Sequence, residues 1–253
     1  MLPRLRPHLN RPSMNRLAIL TLLACLSAPL LAEDAVVTQA VIDGTGPGWV
    51  DLTGEDFDVL NTDPDTFKWN GTEVHCKGTP VGVTRSKKKF TNFEMVATWR
   101  HNQSGGNSGI FLWAPDAAFK DLKPSALPPG GIEVQILDHG YAEQYEKANG
   151  KKSDWFTTNG DVFPVGTSTM VPFEPKAPAP KDSQRAFPRK DLGLGIGHWN
   201  HYYIRAINGE VRLWVNGEEV SGGNNCEPKT GFLCLESEGA PIDMKAIRIR
   251  ELP

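Results

Sequence analysis

The chain has 253 residues, 39% of them hydrophobic, with 7 Trp and 11 Phe, which suffices for one large domain with a substantial core. A formal net charge of -3 argues against a nucleic-acid partner. The 25 Gly and 20 Pro imply many turns and favour an all-β architecture over a helical one.

At the N-terminus, Asn15-Arg16 precede an apolar run over 17–32 that stops just before Glu33-Asp34. A basic start, a short apolar stretch and a small residue at its end form the pattern of a cleaved export signal. The expected organisation is a signal peptide over 1–32, a short linker over 33–48 and one domain over 49–253. Met14 is an alternative start, because 1–13 is rich in Pro and Arg. The apolar run is short for a stable membrane span, which takes about 20 residues. The protein is therefore expected to be exported, to a periplasmic or extracellular location. One rival is lipid attachment at Cys25 in "LLAC", although the residues after it stay apolar. The other is an uncleaved anchor. Loss of the signal leaves Cys76, Cys226 and Cys234, an odd number that rules out full internal pairing. Cys226 and Cys234 could bridge a hairpin-like segment, or all three could be buried free thiols. No CxxC occurs, which makes a structural zinc site an unfavoured expectation.

Strand-like runs follow in chain order. "FTNFEMVATWR" (90–100) alternates well, and "SGIFLWA" (108–114) is entered through the glycine turn "SGGNSG". "GGIEVQILDHG" (130–140) alternates Ile132, Val134 and Ile136 with Glu133, Gln135 and Leu137. The later runs are 201–207, 210–215, 231–237 and 242–252. Asn208-Gly209 and Asn216-Gly217 are strong hairpin-turn signals. No long 3.6-residue apolar period appears, and 141–152 is the one modest helix candidate. Many antiparallel strands in about this length predict a two-sheet sandwich. Two irregular segments, 115–129 and about 141–197, interrupt it and read as walls around a site. The second contains the Pro-rich "VPFEPKAPAPKDSQRAFPRK".

The candidate chemistry centres on the 130–140 strand. Residues two apart share a strand face at about 6.6 Å, so Glu133 and Gln135 point the same way. A bulge at Asp138-His139 would bring Asp138 onto the same polar stripe. Two nearby carboxylates acquire divergent pKa values, hence an acid and a base, the pair that glycosidic cleavage uses. The plainer alternative is that Glu133 and Asp138 are solvated or pair with Arg100 or Arg205. Asn107 could serve a ligand or the turn. Asp161 could bind a metal, assist catalysis or cap its Gly-flanked loop. Glu236 and Glu238 again share a strand face as i and i+2. Trp69, Trp113, Trp155 and Trp199 could stack on sugars, although Trp in a sandwich is more often core. "SKKK" and Lys229-Thr230-Gly231 match two β-lactamase motifs, but no SDN lies between them. There is no GxSxG, HExxH or P-loop, and the scattered histidines form no evident metal site.

The succession "FTNFEMVATWR", "GGNSGIFLW", "GIEVQILDHG", "GHWNHYYI", "RLWVNGEEV" and "GFLCLESEGAPIDMKAIRIREL" resembles the 3-keto-disaccharide hydrolase domain family over about 49–252. The resemblance implies an all-β, two-sheet antiparallel jelly-roll sandwich of the concanavalin A-like lectin/glucanase type, in a secreted bacterial protein acting on oxidised sugars. "TTNGDVFPVG" is similar to the family's Asp-containing loop, with Asn159 where a His often stands. The 130–140 strand also resembles the ExDxxE strand of bulged β-glucanases, with Gln135 in place of the central Asp and Asp138 in place of the last Glu, so their retaining mechanism does not transfer. A 3-keto group acidifies C2, and a base can then expel the glycosidic oxygen by elimination, followed by hydration. The expected catalytic residues are Glu133, Asp138 and Asp161. The expected substrate ligands are Arg100, Asn107, Gln135, His139 and Glu236. No cofactor is called for with certainty, and a divalent metal is an alternative electrophile. The expected partner is a carbohydrate. Two other readings stay open: a lectin-like binding module without turnover, and a surface domain docking a partner through the Pro-rich loop.

Overall fold

The computed structural model describes residues 41–173 and 183–253. The expected signal segment 1–32 and the middle of the Pro-rich stretch lie outside them. The described chain forms two antiparallel sheets. The larger contains β1 (Trp49–Asp51), β3 (Phe67–Asn70), β4 (Glu73–Cys76), β6 (Asn92–His101), β10 (Thr169–Pro172), β11 (Asn200–Ile207), β12 (Glu210–Val215), β13 (Glu218–Glu227) and β15 (Ile242–Leu252). The smaller has the order β2 (Phe57–Val59), β5 (Gly82–Phe90), β14 (Gly231–Ser237), β7 (Asn107–Ala114), β8 (Gly130–Leu137), β9 (Val162–Gly166). Consecutive strands pair at β3–β4, β7–β8–β9 and β11–β12–β13, while β6–β11, β6–β15, β5–β14 and β7–β14 join strands distant in sequence, as in a jelly-roll sandwich.

Period-2 alternation builds the core between the sheets. Met95, Ala97 and Trp99 of β6 and Tyr202, Ile204 and Ala206 of β11 meet Ile110 and Leu112 of β7, Ile132, Val134 and Ile136 of β8, and Leu233 and Leu235 of β14 in one buried cluster. Burying each such aliphatic side chain stabilises the fold by about 1.5–3 kcal/mol. The Tyr202 hydroxyl spans the core and donates to the Gln135 carbonyl at 2.7 Å, so its polar tip is satisfied.

The hairpin signals match the backbone. Asn208 and Gly209 have φ of 53° and 77°, and Asn216 and Gly217 have 49° and 92°. These left-handed pairs fit tight two-residue turns. Helix α1 (Tyr141–Asn149) is shorter than the predicted 141–152, because Gly150 takes a left-handed C-terminal cap with φ 63°. Two predictions differ from the structure. The run 90–100 is split, with Phe90 ending β5 and β6 starting at Asn92. The segment from about 141 to 197, read as irregular, contributes β9 and β10 to the two sheets. In β13, Gly222 has φ 151°, and a side chain on it would strike the Val211 carbonyl. The thiols of Cys76, Cys226 and Cys234 are buried and free, so no Cys226–Cys234 bridge forms. Residues 41–44 lie against the outer face of the larger sheet, with Gly44 in contact with Val96 and Arg248. Among the described residues no helix is long and apolar enough to cross a membrane.

Candidate active site

Strand β8 lies between β7 and β9, and its pleat turns Glu133, Gln135 and Leu137 away from the core. Such an outward face is normally wet, yet all of β8 is buried. The long segment after β8 provides the cover. Tyr141 of α1, Trp155, Phe156, Phe163 and Arg185 stand with Leu127 around a cleft of about 210 Å³. Asn107, Glu133, Gln135 and Glu238 line it too. A larger cavity of about 260 Å³ lies elsewhere, rimmed by Glu55, Asp56, Lys87 and Glu251, but it lacks buried converging carboxylates.

Three glutamates converge at the cleft. Glu133 is 6% exposed and Glu236 0% exposed, while Glu238 is half-buried. Glu133 and Glu236 approach because β7 presents Gly109 between them, and Glu238 stands opposite Asn107 at the start of β7. A methyl group on Gly109 would stand 2.8 Å from Glu236 Oε2 and 3.0 Å from Glu133 Oε1. Burial pushes the Glu133 carboxyl up to about 8, with the Glu238 charge adding to the effect and Arg185 opposing it. Burial lifts Glu238 to about 7. Glu236 goes well above the usual range, through burial first and then the charges of Glu133 and Glu238.

Arg185 anchors the opposite wall. Its Nη1 donates to Asp161 Oδ2 at 2.8 Å and to Gln135 Oε1 at 3.4 Å. The guanidinium lies 3.4 Å from the Phe163 ring centroid and 5.3 Å from that of Trp155. Gln135 Nε2 in turn donates to Asn107 Oδ1 at 2.8 Å and to the Ser108 carbonyl at 3.1 Å. Asp161 also accepts from the Thr157 amide at 3.0 Å and from the Thr157 hydroxyl. Burial raises its pKa while Arg185 and Thr157 act against that rise. With these three donor contacts and no exposure, Asp161 holds Arg185 in place from behind the cleft.

The structure thus brings Asn107, Glu133 and Gln135 together at one surface, with Asp161 behind Arg185 and Glu236 beneath. The other expected site residues lie elsewhere. Asp138 does not join the stripe. Its Oδ2 accepts from the Gly105 and Gly140 amides at 2.8 and 2.9 Å, which ties the 104–105 turn to the end of β8. His139 is exposed beside Asp191 at 3.4 Å. Arg100 sits on the outer face of the other sheet, bonded to Asp243 at 3.0 Å and lying over Trp199, so it cannot reach Glu133. Glu236 is too deeply enclosed to touch a substrate in the cleft. Asn159, in the place of the family's His, accepts from the Leu137 amide at 3.1 Å and ends the strand. Of the tryptophans, only Trp155 lines the cleft, at 44% exposure, while Trp113 is core. The residues not anticipated as site residues are Glu238, Arg185, Tyr141, Phe156 and Phe163. The Glu236–Glu238 spacing carried a signal for the first; Arg185 sits in Pro-rich sequence with none. Among the described residues no group of three His, Cys, Asp or Glu is placed to hold a metal ion.

The jelly-roll sandwich carries a carboxylate-lined cleft on one outer face, and the family match over 39–250 makes it a carbohydrate-active protein of the glycosyl hydrolase-like class. The chain belongs to the family described as the 3-keto-alpha-glucoside-1,2-lyase-like domain, whose model matches residues 39–250. Two structures from Parabacteroides distasonis, both provisionally named glycosyl hydrolases, share the fold. One has TM-score 0.58 at 18% identity, covering 81% of this chain and 95% of its own. The other has TM-score 0.54 at 19% identity, covering 81% and 99%. A carbohydrate-binding module from Bacillus subtilis matches at TM-score 0.43 and 9% identity, over 81% of this chain and 96% of its own. No curated protein matches the chain.

Proposed function

We propose that the cleft cleaves glycosides whose sugar ring carries a 3-keto group, by removing the C2 proton and expelling the glycosidic oxygen from C1. The observation that carries this is the presence of two cleft-lining carboxyls, Glu133 and Glu238, lifted by burial to about 8 and about 7. Groups tuned near neutral pH serve well as base and acid. The C3 ketone makes the C2 hydrogen acidic. Ionised Glu133 takes that proton, the electron pair forms the C1=C2 bond, and the C1–O bond breaks. Glu238 gives its proton to the departing oxygen. Charge growing on the C3 oxygen meets the Arg185 guanidinium and the Asn107 amide across the cleft. Water adding over C1=C2 completes a net hydrolysis. Glu238 takes the partner role expected of Asp138 or Asp161, because it faces the cleft and they do not. The family's description, lyase-like toward 3-keto-alpha-glucosides, supports this chemistry.

The test compares a 3-keto-glucoside with its unoxidised parent, and follows exchange of the C2 hydrogen in deuterated water. Turnover of the keto sugar alone, with C2 exchange lost in Glu133→Gln, is the expected result. Equal turnover of the parent glucoside, or a Glu133→Gln variant near wild type, overturns it. A binding module is the second reading, favoured by the aromatic wall of Tyr141, Trp155 and Phe163. It predicts saturable binding of the keto sugar without turnover. Export by the 1–32 segment belongs to the same proposal, and a mature N-terminus near Glu33 on secreted protein is its signature.

A further inference from the structure

Glu236 is a buried acid with no use in the chemistry above. It is 0% exposed, and among the described residues neither of its carboxyl oxygens has a hydrogen-bond partner. A buried ionised carboxylate without donors is severely penalised, whereas a buried carboxylic acid needs one acceptor for its O–H. The titratable groups around it are Glu133 on β8, Glu238 just beyond its own strand, Cys76 on β4 and Cys234 on its own strand. Among the described residues no cation is among the groups that act on it; Arg185 acts on Glu133 and Asp161. Both thiols are buried, and burial raises each above its ordinary range. Of these groups, the Glu133 carboxyl shares with Glu236 the space over the bare Cα of Gly109, where a side chain would stand 2.8 Å from Glu236 Oε2 and 3.0 Å from Glu133 Oε1.

We propose that Glu236 is a positioning residue, a carboxylic acid held neutral beneath the cleft that donates its proton in a hydrogen bond to the Glu133 carboxylate. Two carboxyls that meet in a dry site share a proton rather than both ionising. The deeper member keeps it, because Glu133 has the cleft and Arg185 on its side. The bond turns one Glu133 oxygen toward the floor and leaves the other for the C2 hydrogen. It also stabilises the ionised base, which keeps Glu133 from being lifted still higher by its burial. Gly109 is required at the crossing, since any larger residue would part the pair.

This inference rests on Glu133 being the base, and the experiment separates the two. The ionisation of Glu133 is followed in the protein without substrate by carboxyl infrared difference spectra, alongside the acidic limb of kcat/KM on the 3-keto-glucoside. Glu236→Gln keeps a donor and cannot ionise. Glu236→Met keeps the volume and loses the donor. The expected result is a Glu133 midpoint close to wild type in Glu236→Gln and raised by about one to two pH units in Glu236→Met. The acidic limb moves the same way. Wild type at pH 9 shows a protonated-carboxyl band that Glu236→Gln lacks. That band needs no Met variant, so the idea stays testable if Glu236→Met does not fold. The proposal is overturned if wild type lacks the band, if Gln and Met give the same midpoint, or if Glu236→Gln is as inactive as Glu133→Gln. Absence of turnover in wild type, with the midpoints shifting as expected, removes the proposed reaction and leaves the pair standing.

Discussion

Replacing Glu133 with Gln should stabilise the protein in alkaline buffer while removing its activity. The folded state keeps the Glu133 proton up to about pH 8, whereas the unfolded chain releases it near the ordinary 4.5. Between those values the folded state binds more protons, so stability falls as the pH rises through the window. Each pKa unit is worth about 1.4 kcal/mol, which bounds the loss at about 5 kcal/mol. Water reaching the open side of the cleft reduces this toward about 2 kcal/mol. Gln fills the same space and never ionises. At pH 4 the variant should therefore unfold in urea near the wild-type midpoint, and at pH 9 it should be more stable by about 2–5 kcal/mol. A variant destabilised equally at both pH values would refute the reasoning, because it would mean that Glu133 is ionised and held by partners throughout. The expected outcome is a trade of stability for function, with a buried charge retained for its chemistry.

Arg185→Leu should destabilise by about 3–5 kcal/mol, because Asp161 would be left as an unpaired buried charge. Adding Asp161→Asn should recover much of that loss in a double-mutant cycle, and additive losses would show that the two do not act as a pair. Trp155→Ala should weaken binding of the 3-keto-glucoside about 2–10-fold by calorimetry. Its melting temperature should change little, since the indole is already 44% exposed. Asp138→Ala should cost about 1–3 kcal/mol in denaturant unfolding, from the amides it leaves unsatisfied. It should leave the limbs of the pH-rate profile in place, and a moved limb would return Asp138 to the chemistry.

The alternation of Ile132, Val134 and Ile136 against Glu133 and Gln135 determined a strand with one apolar and one polar face. The same local rule placed β12, β14 and β15 at their observed limits, because period-2 burial and Asn-Gly turns are properties of neighbouring residues. It missed β9 and β10, short strands inside the segment read as irregular, because their places come from pairing with β8 and β13. The family was legible in the order of the segments, and the shared outward face of Glu133 and Gln135 was legible in the strand alternation. Which carboxylate would meet Glu133 was not. Sequence proximity favoured Asp138, five residues away, yet its carboxyl is spent on the amides of a turn. Glu236 and Glu238 arrive from more than a hundred residues downstream, because β7 inserts a glycine between β8 and β14. A strand's own sequence sets which way its side chains point. Only the pairing of distant strands, and the loop that roofs them, sets what those side chains face and how dry they are, and that dryness moves the protons.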